Sequence, residues 1–81
     1  MVLPVIDERY MNFEQWTAQM TPTLARYSYI PKGREDAWQE WARFVISIPV
    51  ITAINPPRPE VHKDWRNWVR EFNDNLMLLR S

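Results

Sequence analysis

The sequence predicts a small, mainly α-helical domain of three helices, two of them paired as an αα-hairpin, with an extended N-terminal arm and a proline-rich connection. Three observations predict it. Trp-x-x-Trp occurs twice, as Trp38/Trp41 and Trp65/Trp68, each time followed by apolar residues at helical spacing. A weaker copy, Asn12-Phe13-Glu14-Gln15-Trp16, precedes them, so the chain reads as three short units that each begin a helix with paired aromatics. Seven prolines against a single glycine, Gly33, punctuate the 81 residues, and proline both stops helices and stiffens extended segments.

Residues 1–11 run from apolar (Val2, Leu3, Val5, Ile6) to charged (Asp7, Glu8, Arg9) without a helical period and are read as an extended arm. Residues 12–81 form the single helical domain. Asn12 is a good N-cap, and Phe13, Trp16 and Met20 follow at helical spacing until Pro22. Thr21-Pro22 has the cap-then-proline order that starts another turn, carrying Leu24 toward Tyr27. Tyr27 to Gly33 is read as a turn with exposed aromatics. From about Arg34 a second helix is signalled by Trp38, Trp41, Ala42, Val45 and Ile48 on one face. Phe44 and Ile46 lie off that stripe, which makes the helix apolar around much of its girth and suggests a central position.

Pro49 ends or kinks this helix, and residues 50–54 are β-branched and apolar enough for a short strand or could resume a helix after a kink at Pro49. Asn55-Pro56-Pro57-Arg58-Pro59 favours polyproline II, stiff and exposed. A third helix is expected over 60–78, where Val61, Trp65, Trp68, Val69, Phe72, Leu76 and Leu79 share one stripe. The core is accordingly assigned to Trp38, Trp41 and Val45 of the second helix and Trp65, Trp68, Val69, Phe72 and Leu76 of the third.

A chain of this length buries only roughly 60–65% of the surface its unfolded form exposes. Small domains compensate with disulfides, a metal or association. With no cysteine and one histidine, His62, neither a disulfide nor a structural zinc site is expected. Association with other protein subunits, its own copies included, remains. Ten basic and ten acidic residues cancel, which argues against nucleic acid as a partner. No apolar run is long enough for a membrane span, and the start lacks the basic region and long apolar stretch of a signal peptide, so a cytosolic origin is expected.

Polar candidates for chemistry find simpler explanations. Lys63, Arg66 and Arg70 share a flank of the third helix and form the one candidate phosphate contact, but Asp64, Glu71 and Asp74 alternate with them. His62 has no positioned partner for acid–base work and is expected to face solvent near the helix start. Asp7-Glu8 and Glu35-Asp36 are paired carboxylates, and the second pair suits the first turn of a helix on dipole grounds. Ser28, Ser47 and Ser81 lack a nucleophile-elbow motif, and Gly33 alone builds no phosphate loop. No catalytic residue, cofactor or metal is assigned, and the chain is expected not to be an enzyme. The arm and residues 50–54, short, Val/Ile-rich and bounded by proline, suit extended backbone laid on a neighbour or folded back on their own helices. Val2, Leu3, Val5 and Ile6 are the candidate arm contacts, with Tyr27, Tyr29 and Ile51 secondary.

The run Pro59-Glu60-Val61-His62-Lys63-Asp64-Trp65-Arg66-Asn67-Trp68-Val69-Arg70-Glu71-Phe72-Asn73 resembles short segments of small tailed-bacteriophage virion and tail proteins, in which a proline-led Asp-Trp-x-x-Trp helix follows a proline-rich tract. The resemblance implies a structural subunit of a phage particle, at the head, neck or tail, located in the virion and made in the host cytoplasm. It carries over no catalytic residue. The function expected is thus non-enzymatic assembly through protein–protein contacts. The rivals are an adaptor or assembly chaperone that binds one protein in the cytoplasm, and a single-stranded nucleic-acid module using Trp with Lys63, Arg66 and Arg70.

Overall fold

A computed structural model describes residues 5–80, and of Leu79 and Arg80 the backbone alone. The domain is mainly helical, with no strand among the described residues: α1 (Phe13–Leu24), α2 (Trp38–Ile46), α3 (Pro49–Thr52) and α4 (Trp65–Arg80). Short 3-10 turns at Glu8–Tyr10, Glu35–Ala37 and Pro59–Val61 precede α1, α2 and α4 respectively.

Each helix starts where local chemistry directs it. Asn12 caps α1 reciprocally: its side-chain oxygen accepts from the Gln15 N–H at 2.8 Å, and the Gln15 side chain accepts from the Asn12 N–H at 3.0 Å. Pro22 does not end α1, which continues to Leu24. Proline removes one hydrogen bond near the last turn, while the Ala25 N–H still reaches the Thr21 carbonyl at 2.8 Å and Leu24 is fully buried. α2 begins at Trp38, later than the sequence suggests, because residues 35–37 take the tighter 3-10 form. Pro49 is the first residue of α3, so residues 50–54 continue as helix and turn. Asn55, with φ of 54°, then reverses the chain in the left-handed conformation that Asn tolerates. Asp64 starts α4 by accepting the Asn67 N–H at 2.9 Å. This start leaves Val61 in the preceding turn, exposed rather than on the core stripe.

The core centres on α1. Trp16 is fully buried and touches rings from both other long helices: Trp41 at 5.8 Å, Trp68 at 6.2 Å and Phe72 at 5.9 Å, all close to edge-on. Phe13 meets Trp41 and Trp65, each at 5.5 Å. Between α2 and α4 the Trp38 and Trp68 rings meet at 6.3 Å. The aromatic pair that is weakest as a motif is therefore the hub. α2 is less central than its composition suggests, because Phe44 is exposed.

The three units share one hydrogen bond. In each, the second aromatic donates its indole N–H to a carbonyl upstream: Trp16 to Ile6 (3.2 Å), Trp41 to Pro31 (3.0 Å) and Trp68 to Pro57 (2.8 Å). A buried indole needs such an acceptor, and non-helical backbone has carbonyls to spare. Each clip fastens the segment preceding a helix onto the ring core. The proline tract is consequently built in, with Pro57 and Pro59 buried rather than forming a free polyproline ligand.

Candidate functional site

The arm and α4 enclose a groove of about 250 Å³ lined by Val5, Asp7, Glu8 and Arg9 on one side and Arg70, Asn73, Asp74 and Met77 on the other. The α4 residues lie on one helix face by their spacing of three and four. On the opposite wall, the Asp7 side chain accepts from the Arg9 N–H at 2.9 Å and caps the 3-10 turn. The Arg9 guanidinium also bonds the Asp7 carboxylate at 2.9 Å and, with that backbone bond, holds the carboxyl below its ordinary value of 3.8. Asn73 and Arg66 of α4 then hold carbonyls of the arm. Asn73 donates to the Ile6 carbonyl at 2.9 Å, and Arg66 donates to the Met11 carbonyl at 3.0 Å and the Glu8 carbonyl at 3.4 Å while lying 4.6 Å over the Trp65 ring.

Glu8 is buried, with an Arg70 guanidinium nitrogen at 3.5 Å and the Asn73 amide nitrogen at 3.5 Å. Asn73 is 6% exposed, and its Oδ1 is buried without a hydrogen-bond donor. A buried unpaired acceptor costs about 1–3 kcal/mol. Asp74 makes no ion pair within 4 Å among the described residues, although Arg70 lines the same groove, whereas Asp7 is paired with Arg9.

Of the predicted contacts, Val5 is 39% exposed at the groove, and Tyr27 and Tyr29 are exposed on the loop after α1. Val2 and Leu3 lie outside the described residues. Two assignments are corrected. Ile6 is buried, its carbonyl tied to Trp16 and Asn73, and Ile51 is fully buried in α3 against the core, so neither faces a neighbour. Trp38, Trp41, Val45, Trp65, Trp68, Val69, Phe72 and Leu76 are all buried. Lys63, Arg66 and Arg70 do not form a free basic flank: Arg66 and Arg70 bind the arm, and Lys63 stands alone before α4. His62 is not open to solvent as expected. Its ring lies 2.6 Å from the Glu71 carboxylate, with 18% of the side chain exposed.

Sequence reasoning read Glu8 only as half of a carboxylate pair and Asp74 only as part of a mixed-charge helix face, and it passed over Asn73 and Met77. The available signal was Asn73, a polar residue directly after Phe72 on the edge of the apolar stripe. Among the described residues no three His, Cys, Asp or Glu side chains come together to hold a metal ion, and no helix is long and apolar enough to cross a membrane. No protein-family model matches the chain, and no curated protein or solved structure is significantly similar to it.

Proposed function

We propose that this chain is a non-enzymatic structural subunit of a larger protein assembly, of the kind that builds a tailed-phage particle, and that it works by protein–protein contact through the arm–α4 groove. The observation that carries the reading is the pairing, across that groove, of Val5 at 39% and Met77 at 56% exposure on a domain whose ring core is already closed. Scattered exposed apolar residues need no explanation, whereas apolar side chains brought together at one place on the surface form the kind of patch through which proteins bind one another. All five indoles are buried, so the tryptophans do not stand free to stack on bases as the single-strand nucleic-acid reading has them do.

Sedimentation equilibrium over a concentration series tests this. The expected outcome is a mass that rises above the 9.8 kDa of one chain as concentration increases. The double variant Val5→Asp/Met77→Asp should remain at the single-chain mass with an unchanged helical circular dichroism spectrum. A wild-type mass fixed at one chain throughout would count against self-assembly through this groove.

A further inference from the structure

We infer that the outward face of α4 pairs with the same face of a second copy of this chain, antiparallel and about a two-fold axis. This deepens the assembly reading and rests on it for association at the arm–α4 groove, one wall of which that face forms. Asn67, Arg70, Asp74, Met77 and Leu78 are all exposed. At 3.6 residues per turn they fall within roughly a third of the helix circumference, opposite the buried stripe of Trp68, Val69, Phe72 and Leu76. Arg70 and Asp74 stand at the middle of this face. Arg70 engages Glu8 through Nε at 3.5 Å with 62% of its side chain in solvent, so the two terminal nitrogens of its fork remain for a second carboxylate. Asp74 makes no ion pair within 4 Å among the described residues, Arg70 included. A base four residues ahead of an acid is the less favourable order for pairing within one helix.

The spacing makes this face complementary to itself. Arg70 and Asp74 lie about 6 Å apart along the helix axis. A two-fold axis midway between them sets each Arg70 opposite the second copy's Asp74, so the same attraction forms twice, whereas parallel pairing would set like charge against like. Ten basic and ten acidic residues cancel, so two copies approach without net repulsion. Exposed ion pairs add little affinity and chiefly fix the register. The attraction comes from covering Met77 and Leu78, which are 56% and 72% exposed. In the same register they lie over Asn67 and the methylene stem of Arg66 at the start of the second copy's helix.

The test is sedimentation equilibrium of the full chain, with Asp74→Arg and Arg70→Asp run singly and as an equal mixture. Wild type is expected to reach twice the mass of one chain and to stop there, because an isologous contact closes on itself. Asp74→Arg, at an exposed position, should keep its helical circular dichroism and associate about tenfold more weakly, since it faces arginine with arginine. Mixing it with Arg70→Asp should restore pairing, each copy then carrying one sign. Arg70→Asp brings a second carboxylate toward buried Glu8 and can unsettle the arm, so a further measurement leaves the charges intact. The chain has no cysteine, and Asn67→Cys and Met77→Cys each supply a single thiol for a short bismaleimide. The antiparallel register places position 67 opposite position 77, so the mixed variants should crosslink readily. Either variant alone, with its two thiols about 15 Å apart along the axes, should crosslink sparingly. Growth past two chains, an Asp74→Arg variant that associates as tightly as wild type, or equal crosslinking of single and mixed thiols would overturn the inference. If wild type associates and any of these results is found, the assembly reading stands without it. A wild-type mass fixed at one chain would sink association through the groove and this pairing with it.

Discussion

The ring core around Trp16 and the groove beside Asn73 share the arm and α4, to which the core adds α1 and α2, and they differ in how far they are completed. At the core every group is matched: Trp16 touches four rings, and its N–H ends on the Ile6 carbonyl. At the groove the same Ile6 carbonyl takes a second bond from Asn73, yet Asn73 keeps an unmatched oxygen, and apolar Val5 and Met77 stay in solvent. A domain this small holds itself together with aromatic packing, which leaves the groove free to be incomplete. That division separates what folds the chain from what the proposal assigns to a partner.

Breaking the closed side should give the largest effect. Trp16→Ala removes the hub and its clip on the arm, and should cost about 3–5 kcal/mol in chemical denaturation, enough to unfold a marginal domain. Gly33→Ala comes next. A Cβ at Gly33 would press into the Thr17 side chain on α1, so about 1–3 kcal/mol of destabilisation is expected from the shift of Thr17 or the loop, read as a lower denaturation midpoint. Trp41→Phe keeps a ring but loses the bond to the Pro31 carbonyl. It should cost about 1–2 kcal/mol and speed amide exchange in the loop before α2 more than in α4.

Perturbing the open side should leave stability nearly untouched. Met77→Asp alone is expected to change unfolding free energy by no more than about 0.5 kcal/mol while reducing association. The smallest effect concerns acid. Asp7 has its carboxyl lowered below 3.8 by hydrogen bonds from Arg9, so its contribution to the arm turn is present above that value and is lost as pH falls through the lowered pKa. Amide exchange at Arg9 should therefore rise only below pH 3.8, and Asp7→Asn should remove that step.

The helices were legible because their signals are local. Asn12 as a cap ahead of Phe13 and Trp16, the Trp-x-x-Trp steps and the stripe Trp65, Trp68, Val69, Phe72 and Leu76 each lie within a few turns of chain. The destinations of short apolar segments were not legible. Ile6 and Ile51 read the same whether they meet their own core or a neighbour, and only the tertiary arrangement turned both inward. Nor did the proline tract show that Trp68 would capture the Pro57 carbonyl. The groove was hidden for a related reason. Glu8 and Asn73 are 65 positions apart, and neither belongs to a local motif.

The most direct measurement of the central claim compares two exposed regions by light-scattering mass after size exclusion, with tryptophan emission recorded on each peak. Val5→Asp/Met77→Asp alters the groove, and Tyr29→Ser alters the loop, where Tyr29 is 81% exposed. The account predicts that wild type and Tyr29→Ser associate while the groove variant runs as a single chain, all three with the blue-shifted emission of buried indoles. Association that survives the groove substitutions and disappears with Tyr29→Ser would contradict it and move the interface to the loop.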